Sequence, residues 1–246
     1  AKRPDNRGLS FGTISAFGCN AALPHYAPHR ETAAAITDGL LLIDSGGQYE
    51  TGTTDITRMT AAGRITNEMK RDVTLVLKAH IALARAIVPA GTSGAQLDAA
   101  ARAPLWAEGL DFGHGTGHGV GYRLNVHEGP FHISPRSLKS GELGLHAGIL
   151  VSDEPGVYRP GRWGVRIENL IVAHEFSETE FGKFLAFDVA TLCPIDLRTI
   201  NASLLTKEEK SWLDAYHGKV LTGLQNEGLS PRAQAWLKAR TTPVQD

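Results

Sequence analysis

The chain has 246 residues, 42% of them hydrophobic and 21% charged, with a formal net charge of −1. That is enough length for a full core and an ordinary globular composition, and the near-neutral balance argues against nucleic acid or a membrane surface as partner. No apolar run reaches the roughly 18 residues of a membrane span, the start lacks the apolar core of a signal peptide, and two distant cysteines, Cys19 and Cys193, suit a reducing, cytoplasmic setting.

In chain order, residues 1–8 are polar and read as ragged. Residues 9–16 (LSFGTISA) have strand composition, and GCNAALPHYAPHRET reads as a loop carrying His25 and Tyr26 between two prolines. Asp38-Gly39 signals a turn, residues 40–43 form a short apolar strand, and Asp44 stands at its end. SGGQYETGT reads as an irregular glycine-rich connection and TDITRM as the returning strand, which sets Asp44 and Asp55 near each other on paired strands. Thr66 caps a helix whose apolar positions, Val73, Val76, Leu77, Ile81, Ile87 and Val88, recur at helical spacing up to Pro89. His80 falls on its apolar face and reads as a packed core residue. A second helix opens with the capping box Ser93/Gln96 and continues to about Glu108.

Five glycines then fall within residues 113–121, punctuated by His114 and His118, and His127 follows a strand-like YRLNV. The stretch lacks a P-loop Lys-Ser/Thr pair, which argues against a phosphate cradle. Residues 149–151 form a strand that ends in acid at Glu154, RPGRWG turns, and VRIENLIVA returns with Glu168. The same device therefore occurs twice, a strand ending in a carboxylate and a returning strand bearing another. HEFSETEFGKFLAFDVATLCPID is strand-like. A helix capped by Thr206/Glu209 and a last helix opening at Ser230-Pro231 complete the chain, Trp236 and Leu237 docking the latter ahead of a loose TTPVQD.

Asp44, Asp55, His118, Glu154 and Glu168 are each good ligands for a divalent metal. Four carboxylates in one cleft cannot all stay ionised without cations. A two-metal hydrolase follows. Singly, each of these residues has an ordinary use as a turn, cap or surface group; the set, with its order and flanking glycines, does not.

GCNAALPHYAP, LLIDSGGQYETGTTDITR, GHGTGHGVGYRLNVHEGP, EPGVYRPGRWGVRIEN and TLCPID together resemble the motif series of the pita-bread metallopeptidases, most of all the three-domain Xaa-Pro aminopeptidases. The resemblance implies an α+β pita-bread (creatinase/aminopeptidase-like) fold, a curved and mostly antiparallel sheet with helices on its outer face. It implies a catalytic domain over residues 1–186 and a C-terminal helical extension over 187–246. Asp44 would bind one metal, Asp55 and Glu168 would bridge, and His118 and Glu154 would complete the second. Manganese is the metal the resemblance favours, with cobalt or zinc also fitting the donor set. His25, His114 and His127 would position substrate and handle protons, with His127 or His114 donating to the developing oxyanion. Arg166 would support a ligand carboxylate from the same strand face as Glu168. Glu154 would also serve as the general base in hydrolysis of the bond between an N-terminal residue and a following proline.

The alternatives are a prolidase-type dipeptidase or other amide hydrolase of the same fold, and a non-catalytic binding member or inactive fragment. Similar proteins carry two earlier domains and a leading helical segment ahead of the position where this chain starts. Their absence leads us to expect an uncovered sheet face and a missing N-terminal chain as partner. The C-terminal extension resembles one used in dimerisation, which implies a homodimer as well.

Overall fold

Alternation along residues 39–45 builds the first half of the molecule. A computed structural model describes residues 3–137 and 144–245. In it β1 (Asn6–Leu9) and β2 (Ile14–Phe17) precede β3 (Gly39–Ser45). Leu40, Leu42 and Asp44 turn one face of β3 inward, while Leu41 and Ile43 face out, Ile43 at 38% exposure. β3 lies between β2 and β6 (Ile56–Ala62) in an antiparallel sheet, with Asp44 opposite both Ile14 and Thr57.

The glycine-rich connection is itself a hairpin, β4 (Gly47–Tyr49) and β5 (Gly52–Thr53), and β1 pairs with β4. The expected single strand over residues 9–16 is thus two strands serving different sheets, and residues 6–8 are held in β1 rather than ragged.

The second half repeats the plan. β10 (Leu150–Asp153) pairs with β13 (Asn169–Thr179), Asp153 opposite Asn169, and the hairpin of β11 (Gly156–Arg159) and β12 (Trp163–Arg166) lies beyond. β13 also pairs with β14 (Gly182–Val189). Glu168 therefore sits in the break between β12 and β13, not on a continuous returning strand. Asp55 and Glu154 occupy similar short gaps, just before β6 and just after β10. Such breaks release a side chain from the strict two-residue alternation of the pleat.

Helix α1 (Asn67–Ala84) starts at Thr66, whose hydroxyl accepts from Met69 N. It buries Val73, Val76, Leu77 and Ile81 and lies against β10, β11, β12 and β14. It stops four residues short of Val88, because the residue before a proline favours extended backbone. Val88–Pro89 instead forms β7 on the edge of the β14 sheet, and Ile87 stays exposed. His80 is fully buried in α1, as its spacing suggested.

Helix α2 (Gly94–Trp106) has both bonds of its Ser93/Gln96 capping box. Beyond it, β8 (Gly117–His118) pairs with β9 (His132–Ile133). YRLNV is not a strand. Residues 121–130 form a loop with Arg123 at φ 55° and with Tyr122 and Leu124 largely exposed. Strand propensity needs a surface to pack on, and these side chains have none.

The C-terminal helices are α3 (Lys207–Leu224), with its Thr206/Glu209 capping box complete, and α4 (Pro231–Arg240). Leu213, Tyr216 and Val220 dock α3, and Leu237 docks α4. Trp236 does not share that role and is 51% exposed. Residues 241–244 are tethered rather than loose, since Val244 N donates to Asp214 (2.8 Å) and Thr241 is buried.

Candidate metal centre

The two ladders meet where their carboxylates are. Glu168 N donates to the Thr57 carbonyl (3.1 Å), tying the second half to β6 at the level of Asp44 and Asp55. Three overlapping donor groups result: Asp44, Asp55 and Glu168; His118, Glu154 and Glu168; and Asp55, His118 and His127. Within each, one donor atom per residue lies within 4.8 Å of the others. They line a cavity of about 710 Å³ that also reaches His25, His114 and Arg166. All the residues singled out from the sequence are brought to this one cavity. His25 and His127 stand exposed at its mouth, and Glu168, Asp44 and Asp55 are buried at its base.

Gly117 is what lets His118 reach the cluster. A Cβ there would lie 2.0 Å from the Ser152 carbonyl oxygen, so the close pass of β8 across β10 requires glycine. His118 N donates to Ser152 Oγ (2.9 Å), and that hydroxyl donates to Glu154 Oε1 (3.2 Å). His118 Nδ1 donates to the Gly119 carbonyl (2.9 Å), which leaves the Nε2 lone pair aimed at Glu154 Oε1 (3.3 Å) and Asp55 Oδ2 (3.5 Å). An acceptor facing two acceptors needs a proton or a cation between them.

The charges agree. Burial raises the pKa of Asp44 even though Arg166 opposes it, and burial with the neighbouring carboxylates raises Glu168 well above its usual range. Glu154 is pushed up to about 7, by burial first, with Asp55 and Asp44 adding to it against His118 and Arg166. Burial works against protonation of His118, yet the Asp55 hydrogen bond and the Glu154 charge prevail and raise its pKa. Asp44 Oδ1 and Glu168 Oε1 are buried without any hydrogen-bond partner. Bare, buried carboxylate oxygens beside one imidazole form a donor set that suits a pair of divalent cations.

Arg166, the last residue of β12, supports this base. Its guanidinium donates to Asp44 Oδ2 (2.6 Å), Thr57 Oγ1 (3.1 Å) and the Tyr158 hydroxyl (2.9 Å). Tyr158 in turn donates to His114 Nε2 (2.8 Å), while His114 Nδ1 donates to the Gly115 carbonyl (2.7 Å). Both ring nitrogens of His114 are thus engaged, and burial lowers its pKa to about 4. Of the two imidazoles expected to face an oxyanion, His127 keeps the cavity side, its ring centroid 4.2 Å from that of His118.

Sequence reading passed over three members of the site. Thr57 donates to Glu168 Oε2 (2.8 Å), and Tyr158 and Ser152 make the bonds given above. Thr57 had a signal, since in the expected strand TDITRM it falls two residues after Asp55, on the same face. Tyr158 and Ser152 had none beyond proximity to Glu154.

A curled antiparallel sheet of two like halves, with helices outside and an acidic cluster where the halves meet, defines a metallopeptidase of the pita-bread fold. The chain belongs to metallopeptidase family M24, whose model matches residues 1–175, and a model for the C-terminal region of that family matches residues 183–244. It is 47% identical over 251 residues to a probable Xaa-Pro aminopeptidase P of Fusarium vanettenii, covering 100% of this chain and 40% of that protein. It is 44% identical over 249 residues to aminopeptidase P1 of Lotus japonicus, covering 99% and 37%.

Among solved structures, the X-prolyl aminopeptidase of Caenorhabditis elegans, described as a cytosolic enzyme with a di-nuclear active site, superposes with a TM-score of 0.91. It shares 43% identity, over 99% of this chain and 40% of that one. Prolidase from Pyrococcus furiosus gives a TM-score of 0.61 at 32% identity, over 68% and 47%. The chain thus spans about 40% of the length of the aminopeptidase relatives it matches.

Proposed function

We propose that this chain supplies the catalytic centre of a dinuclear-metal aminopeptidase that hydrolyses the bond between an N-terminal residue and a following proline. The observation that carries the reading is a pair of donor clusters sharing Glu168 at the base of one cavity, with Asp44 Oδ1 and Glu168 Oε1 left bare. Asp44, Asp55 and Glu168 would hold one cation, and His118, Glu154 and Glu168, with Asp55 alongside, the other. Manganese is the proposed metal; the oxygen-rich set with one firm imidazole suits it and does not exclude cobalt or zinc. When bound, such a pair supplies Lewis-acid polarisation of the scissile carbonyl and a lowered pKa for an attacking water.

The chain's own groups do the rest. Glu154, at the cavity wall, accepts the water proton and returns it to the departing proline nitrogen. His127 donates to the oxyanion, and His25 at the mouth orients the peptide. Neutral His114, locked by Tyr158 and Gly115, carries structure from Arg166 to the cavity wall.

The relatives' names support the proline preference, and the cytosolic C. elegans neighbour, with Cys19 and Cys193 unpaired here, supports a cytoplasmic protein. The half-exposed Trp236 on α4 supports a homodimer through the C-terminal helices, and the outward-facing Ile43 a covering polypeptide over β3.

One observation favours a dipeptidase instead. Arg136 lines the cavity and offers a cation to a dipeptide's carboxylate. Manganese-supplemented hydrolysis of Xaa-Pro-Xaa, Xaa-Ala-Xaa and Xaa-Pro separates the readings. Release of the first residue from the proline tripeptide alone is expected. Preferential cleavage of the dipeptide would transfer the assignment to a prolidase-type enzyme, and no cleavage with two cations bound would leave a binding member or an incomplete catalytic unit.

A further inference from the structure

Behind the acidic cluster lies a buried arginine that the reaction does not use. Arg58 is 9% exposed, and all five hydrogen bonds of its terminal nitrogens end on neutral oxygens. Nη1 donates to the carbonyls of Thr57 (2.9 Å) and Glu168 (2.6 Å). Nη2 is shared among Asn169 Oδ1 (2.6 Å), the Cys193 carbonyl (2.8 Å) and the Tyr216 hydroxyl (2.8 Å). Its Nε has no partner, so the placement serves the fork rather than full satisfaction of the side chain.

These acceptors come from three separate parts of the chain: the start of β6 next to Asp55, the break that carries Glu168, and the C-terminal region. Tyr216 of α3, 4% exposed, accepts from Arg58 and donates to the Cys193 carbonyl (2.7 Å). Its ring stacks on Trp212 at 5.4 Å, and Trp212 meets the edge of His80 at 5.9 Å. Asn169 closes the web. Its Nδ2 donates to His80 Nε2 (2.9 Å), and His80 Nδ1 donates to the Asp153 carbonyl (3.1 Å). Asp153 and Asn169 are the immediate neighbours of Glu154 and Glu168, so a single buried polar web grips the backbone behind both.

We propose that Arg58, held in place by Tyr216, is a positioning residue of the cation centre, fixing Glu168 against the Asp55–Thr57 strand and making α3 part of the site's construction. The inference rests on the two-cation reading of the cluster. A planar fork can hold two backbone carbonyls at set separations and engage a third segment, whereas an ammonium presents a single point. Partners that orient ligand groups are worth about 10–100-fold in metal affinity.

The test is calorimetric titration of the metal-stripped whole protein with Mn²⁺, alongside thermal unfolding of the metal-free state. Arg58→Lys should weaken Mn²⁺ binding about 10–100-fold. Tyr216→Phe, which keeps the ring on Trp212 and so keeps the fold, should weaken it about tenfold. Leu213→Ala removes a fully buried side chain of the same helix that makes no bond to Arg58, and should lower the unfolding temperature with affinity unchanged. Wild-type Mn²⁺ affinity in both Arg58→Lys and Tyr216→Phe, with only thermal stability reduced, would overturn the proposal and leave Arg58 a staple of the fold. A wild-type protein that takes up no divalent cation would overturn the metal reading itself, and the positioning role with it.

Discussion

Replacing Glu154 with Gln gives a pH-dependent signature that can be worked out in advance for the metal-free protein. In the folded state the carboxyl holds its proton up to about 7, against 4.5 for an unburied glutamate. Below about pH 7 the folded state therefore binds a proton that the unfolded state does not, and it is stabilised as pH falls; above it, the buried charge is carried in full. Integrating between pH 8 and 5.5 with those two values gives about 2 kcal/mol of recovered stability, out of about 3 kcal/mol for the whole shift. Glu154→Gln has no charge to bury and no proton to gain. In chelator at about pH 8 it should be more stable than the wild type, and the difference should shrink by about 2 kcal/mol at about pH 5.5. Urea denaturation of both proteins at the two pH values measures it. A gap that stays constant, or widens as pH falls, would refute the placement of Glu154 in a desolvated acidic cluster.

Other perturbations test the support of the site. Arg166→Met should destabilise the metal-free protein by about 3–5 kcal/mol in denaturation, because Asp44 is left buried without its counter-charge. Arg166→Lys should recover only part of that, since one ammonium cannot reach Asp44, Thr57 and Tyr158 together. Thr57→Val keeps the shape but strips Glu168 Oε2 of its hydroxyl partner; a loss of about 1–3 kcal/mol and weaker Mn²⁺ binding in calorimetry are expected. Gly117→Ala sets a methyl against the Ser152 carbonyl, and by displacing His118 it should weaken Mn²⁺ binding by about tenfold or more.

The acidic cluster was legible in the sequence for a physical reason. Carboxylates and imidazoles are the side chains that bind divalent cations most readily, and Asp44, His118 and Glu154 stood at strand ends or near glycines where alternation and turn signals could locate them. Asp44 shows this directly, continuing the inward face of Leu40 and Leu42 at the end of β3. The strand breaks that place Asp55, Glu154 and Glu168 were not legible, because they depend on which ladder each segment joins. The same non-locality hid the β4–β5 hairpin and made YRLNV look like a strand. Tyr158 and Arg58 escaped because their roles come from partners far along the chain, such as His114 for the one and Tyr216 for the other.

The most direct test of the two-cation centre is anomalous scattering at the manganese edge from crystals of the protein grown with Mn²⁺. Two peaks inside the cluster of Asp44, Asp55, His118, Glu154 and Glu168, falling to fewer in Asp55→Ala or Glu168→Ala, are predicted. Manganese bound elsewhere, or a single peak unaffected by either substitution, would contradict it.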